Sequence, residues 1–286
     1  MAFIETRRIT ADGIMTSVLT GGAGRPGEAV LFVHGNPGAG SDWMPLMTRV
    51  AEFATVVAPD LPGFGAAGAR ADGDYTVASY ARFLHGVVDE LGLERLHLVA
   101  HDFGGPIAAA WAADHPERVA SVTLVNTGVL IDYRWHRLAR VWRTPVVGEV
   151  VMKLTALGVA EAIVGHDNPG LSGPWVKAVA RHLLTPETKR AVLGLYRSTR
   201  TADVEALAPR LLRHDIDALV VFGDADVYIP AEQAHRQVQA FPRAEVHVLP
   251  GVGHWCWLEQ LDQVAAHVVP FLRQRVGTLI ASNTEP

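Results

Sequence analysis

The sequence predicts an α/β fold in which a mostly parallel, helix-covered sheet carries an inserted helical lid. Three observations predict it. Short, continuous apolar runs such as "AVLFV" (29–33), "LHLVA" (96–100) and "ALVVFG" (218–223) read as strands buried on both faces. They alternate with helical patterns, and strand alternating with helix makes a parallel sheet. The alternation then stops between about Gly128 and Pro209, where helical patches and breakers such as "HDNPGLSGP" stand without a comparable strand.

Taken in order, strand-like runs near 3–9 and 14–20 flank the turn "ADG". After the loop "GGAGRPGE" comes the 29–33 strand, which stops at "HGNPGAG". Ser41 is placed to cap a helix running to about Phe53. "TVVA" (55–58) is the next strand, and a helix covers roughly 77–91. The 96–100 strand enters a tight turn, then an Ala-rich helix over 104–114, then the strand "VASVTLVN" (119–126). Beyond the insertion come the 218–223 strand, a helix from Pro230, the strand "AEVHVL" (244–249) and a helix from about Leu258 to Arg273. Residues 275–286 are expected to fray. Residues 1–127 and 210–286 thus form a core domain, and 128–209 form the lid.

Composition narrows the function. The chain has 286 residues, 49% hydrophobic and 19% charged, as expected of a globular protein with a sizeable core. A net charge of −5 argues against nucleic acid and acidic membranes as partners. The start "MAFIETRRIT" lacks a signal-peptide stretch, and no apolar run is long enough to span a bilayer. Cys256 is the single cysteine, so no intrachain disulfide forms and a cytoplasmic location is expected. No metal-site motif is present, and no cofactor is expected. "GFGAAG" (63–68) spells a dinucleotide fingerprint, but no helix opens right after it, so it reads as a loop. The expected partners are a small-molecule substrate and water. The oligomeric state is open, with a homodimer as one option.

Chemistry concentrates at the carboxyl ends of strands, where open α/β sheets bind ligands. Asp102, in "LVAHDFGGP", stands at the tip of a strand–turn–helix. Asp226 and His254 follow two later strands. The order nucleophile, acid, histidine is that of a hydrolase triad. The tip needs small neighbours because strand and helix crowd there. Ala100, Gly104 and Gly105 supply them, although Gly is usual where Ala100 stands. Taken alone, Asp102 could simply be a helix N-cap. By position, the backbone N–H groups of Asn36 and Phe103 would form an oxyanion hole.

"HGNP", "DLPGFG", "HDFGG", "FGDADVYIP" and "GHW" together resemble the α/β-hydrolase superfamily over nearly the full chain. They are most similar to the epoxide hydrolase and haloalkane dehalogenase branch, which uses an aspartate nucleophile. The resemblance implies that Asp102 attacks a saturated carbon to form an ester. His254, oriented by Asp226, would then activate water to hydrolyse it. It also implies a lid tyrosine as proton donor to an epoxide oxygen. Tyr196, in "LYR", fits that place, and no first lid tyrosine is evident. Tyr133 reads as a surface or packing residue.

The leading expectation is epoxide hydrolysis to a vicinal diol. The alternative is a haloalkane dehalogenase that releases halide and an alcohol. Asn36 suits a halide, but Phe103 has no side-chain N–H, and Trp135, Trp142 or Trp175 would have to substitute. Phe103 and Pro106 stand where fluoroacetate dehalogenases carry arginines. A reading of another class is a non-catalytic small-molecule binding protein. Asn126 stands at an alternative acid position that an amide cannot serve. His34 and His101 are read as loop supports, Trp111, Trp142 and Trp175 as packing, and Cys256 as a small buried residue.

Overall fold

A computed structural model describes residues 3–277. Eight strands form one sheet: β1 (Ile4–Ala11), β2 (Ile14–Gly21), β3 (Glu28–Val33), β4 (Val56–Pro59), β5 (Arg95–His101), β6 (Val119–Val125), β7 (Ala218–Gly223) and β8 (Glu245–Leu249). Their spatial order is β1-β2-β4-β3-β5-β6-β7-β8. β1 pairs with β2, and β2 with β4, in antiparallel fashion. Every pairing from β4 to β8 is parallel.

The buried strands are apolar on both faces because each face has its own helices. Successive strand residues point to opposite sides. Leu31 and Val33 join one core with Phe83, Leu84 and Val87 of α2 (Val77–Glu90) and with α3 (Gly104–Asp114). Val30 and Phe32 join the other. Its helices are α1 (Met44–Val50), with Leu46 and Met47, and α13 (Leu261–Arg275), with Val264, Val268 and Phe271. Thr76 caps α2 by accepting the Ser79 N–H. The Ala-rich α3 is buried all round, which lets it lie close against the sheet.

Between β6 and β7 the chain forms α4 (Arg137–Arg143), α5 (Val147–Leu154), α6 (Leu157–Asp167), α7 (Gly173–Arg181), α8 (Pro186–Ser198), α9 (Thr201–Glu205) and α10 (Ala208–Leu211). α10 straddles residue 209, the expected boundary of the insertion. His182, just after α7, reaches back to the sheet side and meets Asp42 Oδ1 at 2.9 Å.

Three expected elements differ. Ser41 caps nothing. A 3-10 turn spans Gly40–Trp43, and Asp42 folds back to accept the Ala39 N–H. Pro45 then sits in the first turn of α1, which ends at Val50, short of Phe53. The helix expected from Pro230 is α11 (Glu232–Arg236). The last helix is split at Gln260 (φ −135°) into α12 (Cys256–Glu259) and α13. Of the expected frayed tail, Arg275 is still helical, and 278–286 lie outside the described residues. Among the described residues no helix is long and apolar enough to cross a membrane.

Candidate active site

β5 delivers Asp102 into a left-handed backbone conformation (φ 48°), which a non-glycine residue adopts at a cost of roughly 1–3 kcal/mol. The surroundings enforce it. A Cβ on Gly104 would come within 2.2 Å of the Val33 carbonyl, so only glycine lets α3 start this close to β3. Thr127 Oγ1 donates to the Asp102 carbonyl from the end of β6.

The three strand-end residues meet. His254 donates Nδ1–H to Asp226 Oδ2 at 2.7 Å, which leaves Nε2 facing Asp102 Oδ2 at 3.7 Å. All three are buried. Asp226 is saturated by donors: Oδ1 accepts from Tyr228 N–H and Ile229 N–H, and Oδ2 from Asn126 Nδ2 at 2.8 Å as well as from His254. Asn126 Oδ1 in turn accepts the Gly223 N–H. Asn126 is no acid, but it ties the end of β6 to the Asp226 loop. Asn168, at the end of α6, accepts the backbone N–H of His254, and His101 Nε2 lies 3.1 Å from the His254 carbonyl. The inserted helices therefore help to hold the histidine.

Asn36 N–H donates to Asp102 Oδ1 at 2.7 Å, and the Phe103 N–H also favours the charged carboxylate. Burial nonetheless outweighs these donors and the His254 charge, and holds the Asp102 pKa above its ordinary value. For His254 the balance is opposite in origin. Burial works against its charge, but Asp226 and then Asp102 overcome that and raise its pKa above the ordinary 6.5.

A cavity of about 60 Å³ opens on this group. A water needs roughly 10–15 Å³ of such space, so the site takes a compact reacting group. Its walls are mostly apolar (Leu138, Val151, Met152, Ile163 and Leu183 among them), and among the described residues no lysine or arginine lines it. Tyr196 lines it, as expected, and so do Trp142 and His136. Trp142 is thus a cavity wall as well as a packing residue. Trp135 stacks on Phe103 without reaching the cavity, and Trp175 packs against the α1–α13 core. Tyr133 is buried with its hydroxyl on the Tyr228 carbonyl, a packing role. Trp111 and Cys256 are buried in the core. His34 supports its loop by accepting the Leu61 N–H.

His136 is the residue that the sequence did not reveal. As N-cap of α4 its Nδ1 accepts the Ala139 N–H, so a neutral ring carries its proton on Nε2. Nε2 lies 3.1 Å from Tyr196 Oη. Burial, then the nearby His254, pulls the His136 pKa down to about 4 and keeps the ring neutral. His136 therefore donates to the tyrosine oxygen, and the tyrosine's own proton stays free for the cavity. Burial and then the Asp102 charge push the Tyr196 phenol well above its ordinary pKa, so that proton is retained.

Residues 28–150 match the alpha/beta hydrolase fold family. A 2-hydroxymuconate semialdehyde hydrolase from a Pseudomonas species is 31% identical over 284 residues, which cover 96% of either chain. The chain belongs to the α/β-hydrolase family. A 2-hydroxy-6-oxo-2,4-heptadienoate hydrolase from Pseudomonas putida is also 31% identical, over 89% of this α/β-hydrolase and 91% of that protein. Among solved structures, a 2-hydroxy-6-oxo-6-phenylhexa-2,4-dienoate hydrolase from Rhodococcus superposes with TM-score 0.80 at 24% identity, covering 96% of this chain and all (100%) of that one. An epoxide hydrolase from Vigna radiata superposes with TM-score 0.78 at 21% identity, covering 95% and 98%. These two likenesses show the fold, and the family relation shows a hydrolase.

Proposed function

We propose that this α/β-hydrolase opens epoxides to vicinal diols through an ester on Asp102. The observation that carries the proposal is the Tyr196 hydroxyl. Tyr196 lines the cavity with Asp102, and His136 Nε2 meets its oxygen, which leaves the hydroxyl proton free. Asp102 Oδ1 is held by Asn36 N–H, so Oδ2 attacks the epoxide carbon. As that C–O bond breaks, Tyr196 gives its proton to the leaving oxygen, and His136 Nε2–H steadies the phenolate. Ester formation removes the Asp102 charge that helped raise the His254 pKa, so His254 is neutral at the next step. The neutral histidine then takes a proton from water, which attacks the ester carbonyl. The oxyanion that forms rests on Asn36 and Phe103 N–H. Collapse releases the diol, whose new oxygen takes the proton from His254. The water's second proton returns to Tyr196, and Asp102 is restored. The cap role for Asp102 is the weaker reading, because its carboxylate accepts from Asn36 across the sheet rather than from the first turn of α3.

The substrates in the relatives' names are dienoates and a muconate semialdehyde. This cavity argues against carrying them over. A carboxylate there would be buried beside the Asp102 carboxylate, with no lysine or arginine lining the cavity among the described residues, which is costly. Whole-chain similarity follows the fold, whereas the reaction follows the residue at the turn tip.

One observation favours a second reading, dehalogenation. The Asn36 side-chain amide is buried at the cavity with neither its Nδ2 nor its Oδ1 bonded. A halide would accept from Nδ2. Tyr196→Phe separates the two. For an epoxide, loss of the positioned acid slows ester formation by roughly 10²–10⁴-fold, with ester hydrolysis unchanged. A single-turnover burst measures this. An unchanged burst removes Tyr196 as proton donor, and halide release from a haloalkane would then establish the second reading.

A further inference from the structure

The cavity does not end at its own wall. His136, Leu138, Ile163 and Tyr228 line both it and an open groove of about 750 Å³ on the outside of α4 and α6. Ile163 is itself 36% exposed, so the catalytic cavity reaches the surface there. Arg134, Arg137 and Arg140 line that groove, and all three are exposed. Some exposed arginines are tied to carboxylates, as Arg49 is to Asp262, Arg82 to Asp74 and Arg200 to Asp203, and others, such as Arg7, Arg181 and Arg213, are not; Arg134, Arg137 and Arg140 differ in clustering on one groove. Among the described residues these three have no such partner. The groove's one carboxylate, Asp167, is bonded to the Tyr228 hydroxyl at 3.0 Å. Asp132 nearby is paired with Arg236.

We propose that this groove is the outer half of the substrate site and binds the anionic tail of an amphiphilic substrate: an epoxide joined by an apolar spacer to a carboxylate. The inference rests on the epoxide reading for the reacting group alone. The inner cavity is too small to enclose a long tail, and among the described residues no lysine or arginine lines it. The tail therefore leaves between Leu138 and Ile163 and meets the guanidinium groups, whose planar forks suit a carboxylate. Their exposure sets the scale. Each exposed charge contact changes affinity by up to about fivefold and weakens as salt rises.

Binding and turnover are measured separately. Octanoate and octanol are titrated into the full-length protein, with the fluorescence of the cavity tryptophans Trp142 and Trp255 as the signal. The expected result is tighter binding of octanoate, a preference that salt weakens. It should vanish in the triple variant Arg134→Gln, Arg137→Gln, Arg140→Gln, while octanol binding stays the same. With a carboxylate-tailed epoxide and its methyl ester, the same variant should raise KM for the acid, leave kcat unchanged, and leave the ester untouched. Equal binding of octanoate and octanol, a preference that survives the triple variant, or no binding of either overturns the proposal. If the preference is found but no epoxide is turned over, the groove stands and the epoxide reading falls. If the neutral epoxide is turned over with no preference for the acid, the reverse holds. An anionic macromolecule as the true partner of the arginines would give this second outcome.

Discussion

On the proposed epoxide reading, His254→Gln should form the ester on Asp102 and fail to release it. Attack on the epoxide needs the Asp102 carboxylate and the Tyr196 proton, and neither passes through the histidine. Ester hydrolysis needs the free Nε2 to take a proton from water, and an amide has no such basic nitrogen. Asp226 keeps its bonds from Asn126 Nδ2, Tyr228 N–H and Ile229 N–H, so the substitution leaves that carboxylate partnered and the loop in place. Intact-mass measurement after mixing with epoxide should show the protein heavier by one substrate, with the label on the peptide that contains Asp102. Steady-state turnover should fall by about 10²–10⁴-fold, the value of a positioned base. In the parent enzyme the same step should slow as pH falls through the His254 pKa. Asp226 raises that pKa in the ester as in the free enzyme, while the Asp102 contribution is gone, and the protonated ring is no base. The slowing belongs to ester hydrolysis, so the ester should accumulate on the acid side. A variant that shows no adduct, although tryptophan fluorescence reports substrate binding, would remove the two-step scheme.

If Asp102 is the nucleophile, Asp102→Ala should abolish turnover and adduct formation together, by about 10⁴-fold or more, as loss of a nucleophile does elsewhere. The protein should stay folded, because two effects oppose each other. Losing the carboxylate strands the Asn36 N–H, at about 1–3 kcal/mol. It also removes a buried charge whose desolvation is already visible in the raised Asp102 pKa. Alanine keeps the strain of the left-handed turn, and Asp102→Gly relieves it. Both variants should be inactive, and the glycine variant should melt at or above the alanine one. Activity retained at a tenth of the parent rate in either would exclude Asp102 as nucleophile.

Much of this was legible because it depends on local pattern. β7 occupies Ala218–Gly223, as its apolar run indicates, since a strand buried on both faces leaves no polar residue to blur its ends. Asp102, Asp226 and His254 could be read because each follows the carboxyl end of a sheet strand, directly after β5 for Asp102 and a short loop after β7 and β8 for the other two, and the sheet brings strand ends together. The rest depends on how distant helices dock. His136 looked like an ordinary residue between Trp135 and Arg137, and its meaning arises only where α4 packs against α8 and meets Tyr196. Trp142 has the spacing of a packing residue, and only the small volume beside it makes it a wall. Asn126 has no acid to offer, and only the fold shows its amide serving Asp226 as donor and Gly223 as acceptor. Ser41 has the chemistry of a helix cap, but Asp42 takes the loop's N–H and Pro45 permits the later start.

The central claim is that the oxygen transferred to the product comes from Asp102, not directly from water. A single turnover with enzyme in excess, run in heavy-oxygen water, tests it. The account predicts a diol without heavy oxygen and one heavy oxygen in the Asp102 side chain, because water attacks the ester carbonyl rather than the substrate carbon. Heavy oxygen in the diol, with Asp102 unlabelled, would contradict it.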